Sequence, residues 1–371
     1  MMCVLHVGKF YPPHHGGMER VLESVCQASR GLVDSHVLVA NDSSRTVEEV
    51  VDGVPVTRVG TAAAAGSVHI APAFARHLGR TRADLIVLHE PNPWALLSYA
   101  IVRPRAPLAI WYHSDVVRPA LQYALFYAPL ARVAYRRATC FIVSSPPLAA
   151  QSAALAEYQS RIRVIPFGID PAPWHRRESS PASYVLFAGR HVDYKGVDVL
   201  LRALAGGSAR AVIAGDGPRR SDWQRLATTL GLNGRVTFTG EVGDAELRQM
   251  MHGAAALVLP SITRAEAFGY VQLEAMAAGK PVISTDVPTG VSWVNQHGRT
   301  GLVVPAGDAD ALRAAIEQIS GDPALQATLG EAGRVRVEAE FTLDRLRERL
   351  RAFYEDMALL PANPQHAEAR V

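Results

Sequence analysis

The chain has 371 residues, of which 49% are hydrophobic and 20% are charged, and its formal net charge is +3. This length allows two domains with sizeable cores, and the small net charge argues against a general nucleic-acid-binding surface. No apolar stretch reaches the ~18 residues of a membrane-spanning helix and no basic leader precedes one, so we expect a cytoplasmic protein. The cysteines are widely spaced in apolar runs, which indicates neither a disulfide framework nor a metal site.

Strand and helix patterns alternate through the first half of the chain. A strand at 4–7 leads into a glycine-rich loop at 8–17 and a helix over about 18–30. Helical spacing recurs near 70–80, 94–102 and 120–137, and the Ala-rich segment 62–65 is expected to be a loop. Further strands are predicted at 36–39, 85–88, 108–111, 140–143 and 164–165. The proline-containing segment 171–183 then breaks the pattern, and we interpret it as a linker.

A second alternation follows the linker and ends in an amphipathic helix near 343–359. Its strands are predicted at 184–188, 211–214, 236–238, 256–259, 282–284 and 301–304. Apolar strands that alternate with helices predict parallel sheets covered on both faces. The fold class is therefore α/β, with two doubly wound, Rossmann-like domains at 1–170 and 171–345 and a C-terminal helix and tail at 346–371. Ligands of such sheets lie outside the carboxyl ends of the strands, so we expect both domains to present their loops to one cleft.

The most informative block spans residues 260–285, where Glu266 and Glu274 lie eight positions apart on either side of Gly269. A buried strand precedes the block, and helical spacing begins after the glycine. Free backbone N–H groups and the helix dipole at such a helix start favour an anion. An anion site flanked by two acids suits a sugar nucleotide, which carries both phosphates and hydroxyls. The alternative is a solvated helix with ordinary capping acids.

Two cations follow the strand at 184–188. Arg190 offers a planar fork and Lys195 a mobile point charge, and together they can neutralise a departing diphosphate. Lys195 is one of only three lysines among 38 basic residues. The alternative is a surface loop with two solvated cations. The next loop begins at Gly215 and is a turn by composition, to which we assign a shaping role.

The loops of the first half are less specific. Gly16 and Gly17 precede a helix and either let backbone N–H groups approach an anion or mark a tight turn. His113 follows the strand at 108–111, and Asp115 and Arg118 lie just beyond it, where they can orient an acceptor. A lone histidine, however, is more often structural.

Metal-ligand motifs and membrane signals are also weak in this chain. No C-x-x-C or H-E-x-x-H pattern occurs, so we expect no bound metal. The segment 118–139 mixes aromatic, apolar and basic residues. It fits either a peripheral membrane surface or a core helix with a basic end.

Taken together, these motifs resemble retaining glycosyltransferases of family 4, which have the two-domain GT-B fold. The resemblance implies domains that face each other across a cleft, with the C-terminal helix packed back on the N-terminal domain. It implies catalytic roles for Glu266, His113, Arg190 and Lys195. It places His113, Asp115 and Arg118 at the acceptor. The implied donor site comprises Gly16, Gly17, Arg190, Lys195, Gly215, Val242, Glu266, Phe268, Gly269, Tyr270, Val271 and Glu274.

Within this family the chain is similar to bacterial enzymes of O-antigen and exopolysaccharide assembly, several of which are mannosyltransferases. The resemblance implies transfer of a hexose from GDP-mannose to a glycan or a polyprenyl-diphosphate-linked acceptor, without metal or cofactor. The alternatives are a UDP-sugar donor such as UDP-glucose, a nucleotide-sugar epimerase, or a non-catalytic sugar-nucleotide-binding protein. The loop Val287-Pro288-Thr289-Gly290-Val291 departs from the family's Gly-Gly-acid pattern, which leaves the donor sugar open.

Overall fold

The computed structural model describes residues 1–14, 16–65, 68–116, 125, 127–175 and 184–359. The chain forms two compact units. The first comprises Met1–Gly168 together with Leu343–Val371, and the second comprises Ile169–Thr342. The chain passes from the first unit to the second after Gly168 and returns after Thr342.

The first unit is built on an eight-stranded sheet with the order β10-β9-β8-β7-β1-β2-β4-β3. All neighbouring strands in it run parallel except the pair β3 and β4 at one edge. A separate two-stranded sheet pairs β5 with β6. The strands are β1 Cys3–Val7, β2 Asp34–Ala40, β3 Val47–Val51, β4 Val54–Val59, β5 Ala63–Ala65, β6 Val68–Ile70, β7 Leu85–Glu90, β8 Leu108–Tyr112, β9 Ala138–Val143 and β10 Ile162–Val164.

Helices connect these strands. They are α1 Gly17–Ala28, α2 Phe74–Arg80, α3 Pro93–Val102, α4 Ala128–Arg137, α5 Pro146–Gln151 and a 3-10 helix at Ala153–Arg161. Every residue of the central strands β7 and β8 is buried. Strands covered on both faces need near-continuous apolar sequence, which explains why these two could be recognised from sequence.

The second unit contains a six-stranded parallel sheet with the order β13-β12-β11-β14-β15-β16. Its strands are β11 Tyr184–Ala188, β12 Ala211–Ala214, β13 Val236–Gly240, β14 Ala254–Leu259, β15 Val282–Thr285 and β16 Gly301–Val304. Its helices are α6 Val197–Ala205, α7 Arg220–Thr229, α8 Asp244–Gly253, α9 Val271–Ala277, α10 Val291–Val294, α11 Ala309–Gly321 and α12 Pro323–Glu340. Short 3-10 helices lie at Ala172–Trp174 and Asp193–Lys195.

The last helix, α13 Leu343–Ala358, returns to the first unit and packs on α1. The Tyr354 hydroxyl lies 3.0 Å from Ser29 Oγ, and Arg347 donates to the carbonyl oxygens of Ala28 and Arg30. These carbonyls lie at the end of α1, where cations also complement the helix dipole. The expected return of the C-terminal helix to the N-terminal domain is confirmed.

The sheet of the first unit contains strands that we did not predict. β3 and β4 form a hairpin whose turn, Asp52-Gly53, has positive φ angles of 48° and 79°. An Asp-Gly pair between apolar residues is a strong hairpin signal, so this turn was recognisable.

The prediction of a loop at 62–65 was wrong, because Ala63–Ala65 pairs with Val68–Ile70. Alanine disfavours strands, and tertiary pairing overrides that preference here.

None of the described helices is both long and apolar enough to span a membrane.

Candidate functional site

The sheet of the second unit reverses its strand order between β11 and β14. From β11 the chain adds β12 and β13 on one side, and then β14, β15 and β16 on the other. The loops after β11 and β14 therefore leave neighbouring strands toward opposite faces of the sheet. In doubly wound folds this reversal point is where ligands bind, outside the carboxyl ends of the strands.

Gly196 allows these two loops to approach each other closely. Its φ is +64°, and a β-carbon at this position would lie 2.0 Å from the Pro260 carbonyl oxygen. Nearby, the Ile262 N–H donates to the Tyr194 carbonyl oxygen over 2.9 Å. The loop that carries Lys195 is thus held against the loop that carries Glu266, and only glycine fits at the contact.

Lys195 and Glu266 form a tight ion pair where these two loops meet. Lys195 Nζ lies 2.6 Å from Glu266 Oε2, and the two side chains are 12% and 9% exposed. The Ser261 hydroxyl donates to the same carboxylate oxygen over 3.0 Å. Burial is the largest single influence on the pKa of Lys195 and lowers it, but the charge and hydrogen bond of Glu266, together with Tyr194, raise the pKa more, so that it is raised overall. The ammonium therefore stays charged at neutral pH.

The loop at 287–291 also holds Glu266. The Thr289 hydroxyl donates to the Glu266 carbonyl oxygen over 2.7 Å, and the Gly290 N–H donates to the Ala267 carbonyl oxygen over 2.8 Å. The segment that departs from the family pattern is therefore a direct support of the predicted sugar-binding acid.

Glycines line one side of the Lys195 ammonium. A β-carbon on Gly189, whose φ is +155°, would lie 3.7 Å from Lys195 Nζ. Gly215, at φ +114°, packs so closely that its β-carbon would lie 2.1 Å from the Gly189 carbonyl oxygen. Arg190 follows directly and is exposed. The structure thus places the two predicted cations at the same edge of the sheet.

The block around Gly269 is buried. Gly269 has a φ of +71°, and a β-carbon there would lie 2.5 Å from Leu259 Cδ2. The Phe268 ring packs between Trp293 and Phe341, at centroid distances of 6.4 and 6.1 Å, so only its backbone can serve a ligand. Helix α9 starts at Val271, after the half-buried Tyr270. Glu274 lies in its first turn and is 4% exposed.

The loops after β12 and β13 form the other end of the predicted donor site. The Gly215 N–H donates to the Gly240 carbonyl oxygen over 2.8 Å, and Val242 beyond it is half-buried. Arg220 pairs with Asp216 at 2.7 Å and lies over Gly240, where a β-carbon would be 3.1 Å from its Nη1. Arg220 is a third cation at this edge, and we did not single it out from sequence.

In the first unit, Gly16 and Gly17 form the start of α1. Gly16 is the exposed N-cap in an extended conformation, and Gly17 is the first helical residue. The carboxylate of Glu19 folds back over this turn. Its Oε2 lies so near Gly16 that a β-carbon on Gly16 would be only 2.2 Å from it. An acid in the first turn complements the positive end of the helix dipole.

His113 is not a lone histidine. Its Nε2 lies 2.9 Å from His89 Nδ1, and His89 Nε2 lies 3.2 Å from His6 Nδ1. All three rings are buried, and Trp111 stacks on His89 and His113. Each histidine lies in, or directly after, one of the adjacent strands β1, β7 and β8, so sheet order brings them together.

Of the other predicted acceptor residues, Asp115 is engaged within its own unit. Its Oδ1 accepts hydrogen bonds from the Tyr112 hydroxyl at 2.7 Å and from the Ser152 hydroxyl at 2.6 Å. Arg118 lies outside the described residues. Next to His89, the buried Glu90 accepts from the Tyr127 hydroxyl, and burial raises the pKa of Glu90 well above its usual range.

Sequence reasoning missed Ser261, Thr289, His6 and Arg220. The first two are hydroxyl residues in loops that directly follow buried strands, a position where polar side chains could have been noticed. His6 sits within an apolar strand, and only the packing of neighbouring strands reveals its partner. Among the described residues, no group of three His, Cys, Asp or Glu side chains is arranged to hold a metal ion.

Known protein families match both units of the chain. Residues 172–336 match the family described as glycosyl transferases group 1, and residues 16–168 match the glycosyl transferase 4-like domain. The D-rhamnosyltransferase WbpZ of Pseudomonas aeruginosa is 33% identical over 92% of this chain and 92% of its own length. The O-antigen chain mannosyltransferase C of Escherichia coli is 31% identical over 93% of this chain and 96% of its own length.

Solved structures agree on the fold. The sucrose-phosphate synthase of Thermosynechococcus elongatus matches with a TM-score of 0.80 at 23% identity, over 96% of this chain and 99% of that one. Anabaena HepE in complex with UDP and glucose matches with a TM-score of 0.79 at 22% identity, over 97% and 100%. The chain belongs to the group 1 glycosyltransferases and has the GT-B fold.

Proposed function

We propose that this glycosyltransferase moves mannose from GDP-mannose to a glycan or polyprenyl-diphosphate-linked acceptor in polysaccharide or O-antigen assembly. Transfer retains the anomeric configuration and needs no metal. The names of the two relatives support the sugar class, since one is a mannosyltransferase and the other a rhamnosyltransferase, and rhamnose is 6-deoxymannose.

The observation that carries the chemistry is the Lys195–Glu266 pair beside the exposed Arg190. In the proposed reaction the bond between the anomeric carbon and the diphosphate oxygen breaks, and Arg190 and Lys195 stabilise the departing charge. The acceptor oxygen forms its bond on the same face, and its proton passes to the leaving phosphate. Glu266, already held by Lys195, Ser261 and Thr289, binds hydroxyls of the donor sugar.

We assign the ribose to Glu274, as the family resemblance implies. The residue is buried in the first turn of α9, four residues after the N-cap Tyr270. A carboxylate accepts two hydroxyl hydrogen bonds from a vicinal diol, and bonds to a charged acceptor contribute about 1.5–3 kcal/mol each.

Glu274→Gln is therefore expected to weaken donor binding roughly 10- to 100-fold. The measurement is thermal stabilisation by GDP-mannose, a GDP-linked 6-deoxyhexose and UDP-glucose, with and without EDTA. A ligand at about 100 times its Kd stabilises the folded state by about 2.7 kcal/mol. We expect GDP-mannose to stabilise most and EDTA to change nothing. Preferential stabilisation by UDP-glucose would favour the UDP-sugar alternative instead.

The remaining alternatives are separated by the products. An epimerase converts the nucleotide sugar when no acceptor is present, and a non-catalytic binding protein converts nothing. Incubation with GDP-mannose alone, followed by NMR of the sugar nucleotide, is expected to show no new epimer. Transfer to acceptor is expected to yield a product with the anomeric configuration of the donor. An inverted product would contradict the proposed mechanism.

We also propose that the first unit contacts an anionic membrane surface through α4, which belongs to the segment 118–139. A cavity of ≈620 Å³ beside α4 is lined by four arginines with no acid among its lining residues. They are Arg103, Arg132, Arg136 and Arg137. Ile101 and Leu125, which lie close in sequence to Arg103 and to the start of α4, are exposed apolar residues. Arg103 caps the end of α3, and Arg136 and Arg137 lie in the last turn of α4, where cations complement the helix dipole. A purely structural role for these three is therefore the competing interpretation.

Charge reversal tests this surface. Arg132→Glu with Arg136→Glu is expected to weaken binding to vesicles of equal parts phosphatidylglycerol and phosphatidylcholine by at least about 30-fold, since each lost basic residue contributes about 1 kcal/mol and the new acids add repulsion. Co-sedimentation measures the binding. The matched control is Arg202→Glu with Arg225→Glu, two exposed arginines of the second unit. Equal binding by both double variants would contradict a specific surface.

A further inference from the structure

The histidine row of the first unit has an inner and an outer end. His6, in β1, is fully buried, whereas His113 follows β8 at the carboxyl edge of the sheet and is 6% exposed. His89 joins them with ring nitrogen distances of 3.2 and 2.9 Å. The Trp111 ring stacks nearly parallel to the rings of His89 and His113, at interplanar angles of 9° and 12°, which restrains the orientation of both rings.

A row of neutral imidazoles has only two hydrogen-bond polarities, because each ring donates through one nitrogen and accepts through the other. In the outward polarity, His6 Nδ1–H donates to His89, and His89 Nδ1–H donates to His113 Nε2. The last hydrogen is then on His113 Nδ1. In the inward polarity every bond is reversed, and the last hydrogen is on His6 Nε2.

The surroundings of His6, at the buried end of the row, favour one of the two polarities. His6 Nε2 is buried and has no hydrogen-bond partner among the described residues. The inward polarity would leave an unpaired N–H there, whereas the outward polarity leaves only an unpaired lone pair. Buried orphan N–H groups are rarer in proteins than under-satisfied acceptors, so the outward polarity is favoured.

Either polarity requires that all three rings be neutral, since an imidazolium donates from both nitrogens. Burial lowers the pKa of His6 and of His113 to about 3 each. Burial, together with the two neighbouring imidazoles, lowers the pKa of His89 well below its usual range. The row is therefore uncharged at neutral pH.

We propose that His6 and His89 are positioning residues that hold His113 as its Nδ1–H tautomer. His113 then donates a hydrogen bond to an oxygen of the bound substrate and does not take up the acceptor's proton. The identity of that oxygen, on a sugar or a phosphate, rests on the proposed function. The tautomer itself does not, so it can be tested without any ligand.

The direct test is ¹⁵N NMR of the imidazoles in the whole chain, without ligand and at neutral pH, with His113→Asn used to assign the His113 signals. We expect a pyrrole-type Nδ1 with a directly bonded proton and a pyridine-type Nε2. The reverse assignment would overturn the proposal, whatever the donor and acceptor prove to be.

The role of His89 is tested by two substitutions. His89→Asn places an amide N–H group where Nδ1–H was and is expected to preserve the His113 tautomer. His89→Phe keeps a ring against Trp111 but offers no donor, so the His113 nitrogen signals are expected to move toward averaged positions. If His89→Phe leaves these signals as in the native protein, His89 does not set the tautomer. Should that variant not fold, the native tautomer and His89→Asn still decide.

Transfer rates give an independent readout. Asparagine presents its amide N–H near the position of Nδ1, and glutamine near that of Nε2. We expect His113→Asn to keep kcat within about tenfold of the native value and His113→Gln to lose on the order of 10²-fold, as for the loss of one preorganised donor. A larger loss in His113→Asn than in His113→Gln would contradict donation from Nδ1.

Discussion

Lys195→Met is expected to lower the kcat for transfer by on the order of 10²–10³-fold, because it removes a preorganised cation from the departing diphosphate. It also leaves the Glu266 carboxylate, 9% exposed, without its partner at 2.6 Å. Removing one member of a nearly buried pair destabilises a protein by about 3 kcal/mol. The activity loss must therefore be separated from the stability loss.

The double variant Lys195→Met with Glu266→Gln achieves this separation. Both side chains are then uncharged, and the glutamine can still accept the hydrogen bond from Ser261. We expect the urea midpoint to return most of the way to the native value while kcat stays low. A double variant that recovers both stability and kcat would show that the pair is only structural.

Lys280→Met serves as the matched control for Lys195→Met. It removes the same charge from the same unit, in the turn after α9, and belongs to no part of the proposed site. We expect its kcat to remain within about twofold of the native value, since substitutions away from such sites change free energies by about 0.5 kcal/mol or less. A comparable loss in Lys280→Met would point to net charge as the cause.

Gly196→Ala is expected to cost both stability and activity. The backbone φ of +64° disfavours any β-carbon by about 1–2 kcal/mol. In addition, the new carbon would lie 2.0 Å from the Pro260 carbonyl oxygen, so the loops after β11 and β14 must move apart. Overpacking of this kind adds about 1–3 kcal/mol. Because a 1 Å misplacement of catalytic groups costs about 10²-fold, we expect a kcat loss of that order.

Gly231→Ala measures the backbone part of this effect, so its difference from Gly196→Ala gives the steric part. Gly231 has a similar φ of +68°, but nothing lies within 4 Å of its β-carbon position. It should show the backbone cost alone, a shift in urea midpoint equivalent to about 1–2 kcal/mol, with native kcat. If Gly196→Ala matched Gly231→Ala in both measurements, the close contact with Pro260 would not position Lys195.

Much of the fold could be predicted from the sequence, because strands buried on both faces are almost wholly apolar. β7, β8 and β14 are examples, and their bounds lie within two residues of those expected. The edge hairpin β3–β4 escaped prediction because its outer strand is exposed and carries Glu48 and Glu49, so it lacks an apolar run. Edge strands need only one neighbour, and their sequences are correspondingly weak signals.

The candidate site likewise contains residues that could be predicted from the sequence and contacts that could not. Arg190, Lys195, Glu266 and Glu274 were recognisable because chemically distinctive residues follow buried strands, and parallel strands bring their carboxyl ends to one edge. Sequence could not reveal that Lys195 pairs with Glu266, which lies 71 positions away, or that Lys195 and Ser261 both donate to the same oxygen of the Glu266 carboxylate. That contact depends on the reversal of strand order between β11 and β14 and on the close approach at Gly196.

The sequence by itself determined the α/β class, the two units, the family and the chemical types at the edge of each sheet. These depend on local periodicity and on motifs that lie within a few residues of one another. Only the tertiary structure decided the partners, including the pair at Lys195, the support from Thr289 and the row from His6 to His113. The physical reason is that parallel sheets join strands distant in sequence, so side-chain contacts across them follow strand order and not chain order.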